Sequence, residues 1–218
     1  MSPDTIPDHI EKLNPGPPTV PRPAASVILL RHGGRHDTRG IEVLFGKRTP
    51  SASFMPNVWV FPGGAVDAAS AEGGPSDEDY RAAALRELEE ETSVTLDQST
   101  ELVPFSRWIT PREVKVRYDT HFYLALAPPH CSPEPDRSEI VEVAWFAPGD
   151  ALERHADGQM LLVFPTIKQL EGLLEFSSAE DAMAGARSRK IEPILPKVGM
   201  VDGAPGVLLP GDPGYDDT

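Results

Sequence analysis

Residues 76–94 read SDEDYRAAALRELEEETSV, and how this stretch folds decides how the rest of the chain is arranged around it. Ser76 carries the hydroxyl that caps a helix N-terminus, and Asp79 stands three residues on as its reciprocal partner. Asp77, Glu78 and Asp79 put negative charge at the positive end of the helix dipole. A helix is therefore predicted over Ser76–Thr92. Its far end breaks the same rule, because Glu89, Glu90 and Glu91 crowd the last turns and no lysine or arginine follows. Positive charge must come from elsewhere. At about 100° per residue, Glu87, Glu90 and Glu91 fall within roughly a 100° arc, with Glu89 on about the opposite side. Leu85 and Leu88 form the apolar flank, and Ala83 and Ala84 leave room one turn earlier. Carboxylates at i, i+3 and i+4 suit Mg²⁺ or Mn²⁺, hard cations that favour oxygen ligands. A plain solvated glutamate face is the alternative, and the helix alone does not choose.

Just upstream, Trp59-Val60-Phe61 reads as the end of a strand running into Pro62-Gly63-Gly64. Paired glycines let backbone amides and carbonyls approach a metal or phosphate closely, although they also make ordinary turns. Arg86 can pin a carboxylate in a bidentate pair, or be a surface ion pair of little worth. Further strands are predicted at Ala25–Arg31, Ile41–Arg48, Leu102–Ile109, Thr120–Ala127 and Ile140–Phe146, from their β-branched and aromatic content between turn residues. Further helices are predicted at Pro148–Arg154, Thr166–Phe176 and Ala179–Arg187. Strands interleaved with helices indicate an α/β layered domain. Seven prolines in residues 1–24 make that segment an extended arm, and the tail from Glu192 is again rich in proline and glycine. There is no internal repeat.

Composition sets limits on partners. The chain has 218 residues, with 25% charged and 39% apolar side chains, which suits one globular α/β domain. A net charge of −14 lacks the field that holds a nucleic-acid polymer by its phosphates. A small phosphorylated substrate is still compatible with it if divalent metals bridge carboxylate to phosphate. No apolar run is long enough to span a membrane, and the N-terminus has neither the apolar core of a signal peptide nor a basic face. Cys131 is the single cysteine, so a reducing compartment, and hence the cytoplasm, is the expectation. The histidines His32, His36, His121, His130 and His155 show no metal-ligand spacing.

Taken together, these features resemble the Nudix hydrolases, whose signature is Gly, five residues, Glu, seven residues, then Arg-Glu-apolar-x-Glu-Glu-x-Gly-apolar. Glu78 precedes Arg86 at the signature spacing, and Arg86-Glu87-Leu88-Glu89-Glu90-Glu91-Thr92-Ser93-Val94 matches all but one fixed position. One departure is an insertion, since thirteen residues separate Gly64 from Glu78. The other is Ser93 where the family has glycine. The resemblance implies the Nudix fold, an α/β/α sandwich around a mixed β-sheet, here with proline-rich arms at both ends. It divides the chain into an arm (1–24), the Nudix domain (25–178, with its box at 64–94) and a C-terminal helix and tail (179–218). It also implies that Glu87, Glu90 and Glu91, with the Gly64 carbonyl, hold Mg²⁺ or Mn²⁺ while Arg86 orients a glutamate. The group that takes the proton of the attacking water varies within the family; the resemblance points first to a box glutamate, with Glu139 and Glu142 as candidates from a later loop or strand.

The segments EVLFGKRTPSASFMPNVWVFPGGAVD, LVPFSRWITP and RYDTHFYLALAP look like one branch of the family, the acyl-coenzyme A diphosphatases. That likeness implies cleavage of coenzyme A or its thioesters to 3′,5′-ADP and (acyl-)phosphopantetheine. Arg48 belongs to the pattern of coenzyme A-cleaving relatives. Arg107, Arg112, Lys115 and Arg117 form a dense basic stretch, either a counter-charge for an extra substrate phosphate or a strand edge charged against aggregation. Trp59, Trp108 and Tyr118 either stack on adenine or belong to the core. Two alternatives stay open: a pyrophosphatase for ADP-ribose, NADH or dinucleoside polyphosphates, and a non-catalytic nucleotide-binding Nudix module. A homodimer would give the arms a neighbour to clasp, but no spacing requires one.

Overall fold

The apolar run Ala24–Leu30 lies in β1 (Arg22–His32) and is buried residue after residue, as in a strand covered on both faces. The computed structural model describes residue 14 and residues 16–33, 40–52, 54–67, 73–201 and 204–216. Most of the predicted N-terminal arm and residues 68–72 of the insertion lie outside the described residues. Along its length β1 pairs in parallel with β6 (Tyr118–Leu126). Its other edge is shared by two antiparallel partners. The C-terminal end takes β2 (Ile41–Arg48), Leu30 opposite Val43, and the N-terminal end takes β4 (Gly63–Ala65), Ala25 opposite Gly64. β2 continues with β3 (Trp59–Val60) on the same side and β7 (Ile140–Phe146) on the other. On the far flank β6 takes β5 (Val103–Ile109), and β5 takes the short β8 (Pro193–Ile194) in parallel. These strands form one mixed eight-stranded sheet. Between β3 and β4 the chain leaves β2 and crosses to β1 through Phe61 and Pro62, with Val27 donating its backbone N–H to the Pro62 carbonyl at 2.9 Å. The Gly-Gly pair sits at that fork.

Alternate residues of β1 feed two cores. Ala25, Val27 and Leu29 pack with Leu44, Tyr123 and the Tyr80, Ala84 and Leu88 side chains of α1 (Asp77–Thr92). Ile28 and Leu30 pack with Val43, Phe45 and the opposite layer of α2 (Pro148–Ala156), α3 (Phe164–Leu173) and α4 (Ala179–Arg187). This is a sandwich of helix, sheet and helices, the α/β/α arrangement expected from the sequence. α1 thus has one face of the sheet to itself.

Several boundaries differ from the sequence-based expectation, each for a local reason. β1 begins at Arg22, inside the segment assigned to the arm, because Pro23 can still accept: its carbonyl takes the Val66 N–H at 3.0 Å. α3 starts at Phe164, with Pro165 in its first turn where a missing N–H costs nothing, and stops at Leu173. The proline- and glycine-rich tail, expected to be an extended arm, contains β8 and a hairpin of β9 (Lys197–Val201) and β10 (Ala204–Leu208). Among the described residues no helix is long and apolar enough to cross a membrane.

Candidate active site

The helix start forms as its residues require. The Ser76 hydroxyl accepts from the Asp79 N–H at 3.3 Å, and the Asp79 carboxylate accepts from the Ser76 N–H at 2.8 Å, a complete capping box. Asp77 pairs with Arg81 one turn on at 2.6 Å, and Tyr80 lies flat on His121 with ring centres 4.0 Å apart. The helix end, which lacks basic residues, is closed by backbone donors. Ser93 takes the left-handed conformation (φ 58°) and donates to the Glu89 carbonyl at 2.8 Å. Beyond it, the N–H groups of Glu134 and Asp136 reach the Thr92 and Glu91 carbonyls at 2.8 and 3.3 Å. The loop before β7 is thereby fastened to the last turn of α1.

The helix turns three glutamates toward the fork in the sheet. Glu91 is only 4% exposed, and its carboxylate accepts the Gly63 N–H at 3.0 Å. Burial pushes its pKa up to about 8, with Glu87 and Glu139 adding to the rise while the Gly63 N–H and Arg48 oppose it. Glu87 lies against the neighbouring glycine so closely that a Cβ on Gly64 would stand 2.4 Å from its carboxyl carbon. Its pKa is also raised, by burial first, against the pull of Arg86. Arg86 donates to Glu87 at 2.9 Å, to Glu90 at 3.0 Å and to the Ala65 carbonyl at 3.2 Å, which ties helix to fork. Glu90 is the most exposed of the three. Glu89 faces away and accepts from the Thr95 hydroxyl at 3.0 Å.

Chemistry and placement fit a hard divalent cation. The donors are all oxygens, Gly64 leaves space that any side chain would fill, and Glu91 is a buried carboxyl with one neutral donor beside it. The side chains do not close on one point, however. Among the described residues no three acidic, histidine or cysteine side chains stand close enough to hold one ion. The reason is Arg86, which draws Glu87 and Glu90 to its own guanidinium while Glu91 turns to Gly63. Convergence requires only that Glu87 and Glu90 swing off a partly exposed ion pair, which costs little.

The remaining sequence candidates divide. Glu139 ends the loop fastened to the last turn of α1, and its charge adds to the rise in the pKa of both Glu87 and Glu91. Glu142 is not brought there: it pairs with Lys47 at 3.6 Å, and Ala144 and Phe146, which share its side of β7, pack against the opposite core. Arg48 ends β2 beside the site, with its Nε donating to the Phe54 carbonyl at 3.2 Å and its charge felt by Glu91. Arg107 is held bidentately by Asp119 at 2.8 and 2.7 Å, near the start of α1. Arg117 is buried and spends its donors on the Thr110 and Thr19 carbonyls, so it tethers the N-terminal segment. Arg112 is exposed. Trp59 and Trp108 are core residues, whereas Tyr118 rests half-buried against Phe54. The Gly63 N–H is the group that sequence reasoning missed, since a backbone donor has no residue signature. A cleft of about 360 Å³ between Gly40–Glu42, Pro148–Asp150 and Leu173–Phe176 shares no residue with this cluster.

Comparison with known proteins gives the same family. Residues 20–164 match the model of the NUDIX domain. The chain is 29% identical over 186 residues to nudix hydrolase 7 of Caenorhabditis elegans, covering 70% of this chain and 60% of that protein. It is 34% identical over 130 residues to the acyl-coenzyme A diphosphatase NUDT19 of Gallus gallus, covering 52% of this chain and 34% of the relative. The chain therefore spans 60% and 34% of the length of these two relatives. The crystal structure of a NUDIX hydrolase from Alicyclobacillus acidocaldarius superimposes with a TM-score of 0.66 at 25% identity, covering 76% of this chain and 96% of that one.

Proposed function

The chain belongs to the NUDIX family, and on that premise we propose that it is a metal-dependent pyrophosphohydrolase whose substrate is coenzyme A or an acyl-coenzyme A. The observation that carries the reading is the meeting of α1 with the glycine fork: Glu87 against Gly64, buried Glu91 on the Gly63 N–H, and Arg86 spanning both. A binding module has no need of a carboxyl buried at such cost, and keeping every box carboxylate favours turnover over mere recognition.

The reaction is attack of water on one phosphorus of the P–O–P bridge, with the other phosphate leaving, to give 3′,5′-ADP and (acyl-)phosphopantetheine. Glu87, Glu90, Glu91 and the Gly64 carbonyl would hold Mg²⁺ or Mn²⁺, which supplies charge neutralisation on the phosphates and a more acidic water. Arg86 orients Glu87 and Glu90. Arg48 offers its cation to the substrate phosphates at the mouth of the site. The proton of the attacking water goes to Glu91 or to Glu139, which stands on the loop fastened to the last turn of α1. The substrate assignment draws support from the likeness to an acyl-coenzyme A diphosphatase over 52% of this chain, together with the inserted box. With Arg107 and Arg117 committed elsewhere, Arg48, Arg112 and Lys115 remain of the candidate cations for the 3′-phosphate.

The test is product analysis by mass spectrometry with coenzyme A, acetyl-coenzyme A, ADP-ribose and NADH offered in parallel with Mg²⁺ or Mn²⁺. Release of 3′,5′-ADP is expected. AMP from ADP-ribose without cleavage of coenzyme A would overturn the substrate, and inertness toward all four would return the chain to the non-catalytic alternative.

A further inference from the structure

The segment that delivers Glu139 is built more rigidly than an exposed loop requires. The Asp136 carboxylate accepts from three successive backbone N–H groups, those of Ser138 at 3.1 Å, Glu139 at 3.0 Å and Ile140 at 2.7 Å, and also from the Ser138 hydroxyl. Arg137 is left-handed (φ 65°) and donates its N–H to the Ile140 carbonyl at 2.9 Å, closing the turn on itself. Three attachments fix this turn to the elements that form the site. The Asp136 N–H is bonded to the Glu91 carbonyl, the Glu139 carbonyl accepts the Thr49 N–H at 2.8 Å at the end of β2, and Ile140 is fully buried against Gly46. The backbone of Glu139 is therefore locked to both α1 and β2, while its side chain remains exposed and acts on Glu87 and Glu91. A carboxylate that gathers four donors outweighs its own partial burial, and its pKa is lowered, so it stays charged and keeps accepting.

We propose that Asp136 is a positioning residue that acts through Glu139, its carboxylate freezing the 136–140 turn so that Glu139 faces the Glu87–Glu91 pair. The proposal rests on the reading of that pair as the cation site. A turn that served stability alone would have no reason to aim a fourth carboxylate at two already repelling each other. The arrangement makes sense if that repulsion is relieved by a bound cation, to which Glu139 adds attraction. Residues that orient ligands in this way typically change affinity or activity by about 10–100-fold when removed.

A double-mutant cycle tests it, using Asp136→Ala, Asp136→Asn, Glu139→Gln and the Asp136→Ala/Glu139→Gln pair. Two readouts are taken: turnover, and Mn²⁺ affinity measured by paramagnetic resonance without substrate. Asp136→Ala is expected to lower kcat about 10-fold or more with KM within about 2-fold, and to weaken Mn²⁺ binding by about the factor that Glu139→Gln does. In the Glu139→Gln background both losses should vanish. Asp136→Asn keeps an acceptor oxygen and should recover most of each; if Asp136→Ala does not fold, Asp136→Ser, whose single uncharged oxygen cannot reach all of these donors, replaces it in the cycle. Equal losses in both backgrounds would make Asp136 a purely structural residue and overturn the proposal, as would full kcat and Mn²⁺ affinity in Asp136→Ala. If the wild-type protein cleaves no pyrophosphate, the reading of the function fails, and the Mn²⁺ cycle alone decides on Asp136.

Discussion

Two adjacent glycines do different work at the fork, and substitution separates them. A Cβ on Gly63 would lie 2.5 Å from the Ala25 carbonyl oxygen and 2.6 Å from the Ser26 Cα, both backbone atoms that cannot retreat. Gly63→Ala is therefore expected to destabilise the fold by about 1–3 kcal/mol or more, visible as a lower midpoint in denaturant. The nearest atoms that a Cβ on Gly64 would meet are the end of the Glu87 side chain, which can swing aside. Gly64→Ala should fold nearly as well as wild type but lose about 10-fold or more in turnover, because Glu87 is pushed off the glycine fork. Equal stability loss in both variants would show that the Gly64 contact is packing, with no bearing on chemistry. The family signature points to Gly64 and says nothing of Gly63, whose backbone N–H supports Glu91. Residue identities disclosed the acidic trio, but they did not reveal that Arg86 draws two of its members away from the third.

At the scale of the element, α1 was legible because its start is written in side chains: Ser76, Asp79 and the acidic first turn all act locally. Its end was legible only as a problem. The missing basic residues are replaced by N–H groups of Ser93, Glu134 and Asp136, two of them from a loop more than forty residues downstream. No local pattern announces such a partner. The same holds for β4 and the short β8: Gly63-Gly64-Ala65 has little strand propensity and Pro193-Ile194 is too short to announce a strand, and both are strands because β1 and β5 offer an edge. Ser93 is the one fixed position where the box departs from glycine, and it pays the expected conformational cost at φ 58°. Ser93→Gly should stabilise the protein by about 1 kcal/mol, a rise of roughly 2–4 °C in melting temperature for a chain of this size, with turnover unchanged. A fall in melting temperature would mean that the serine makes a compensating contact.

Across the whole molecule, 34 acidic against 20 basic side chains leave an excess of fourteen negative charges, and the acid least able to ionise is the buried Glu91. Glu91 has its pKa raised from an ordinary 4.5 to about 8. Between those values the folded protein holds a proton that the unfolded chain has released, so stability falls as pH rises through the window and levels off above it. His121 works the other way. Burial, reinforced by Arg107, lowers its pKa, so the stability it contributes is present above its ordinary 6.5 and is lost as pH falls below that. Without divalent cations, the melting temperature is therefore expected to fall by about 5–10 °C from pH 6.5 to pH 9, a window in which His121 is already neutral. Mg²⁺ or Mn²⁺ offsets the cost of the ionised Glu91, so its stabilising effect should be larger at pH 9 than at pH 6.5, and larger than any effect of the same ionic strength of NaCl. Glu91→Gln removes the titrating group, so it should flatten the cation-free pH profile and abolish the excess effect of the divalent ion. It should also cut turnover by at least about 10²-fold. A Glu91→Gln protein that kept the wild-type pH slope would place the proton elsewhere, and one that kept the wild-type response to Mn²⁺ would take Glu91 out of the cation site.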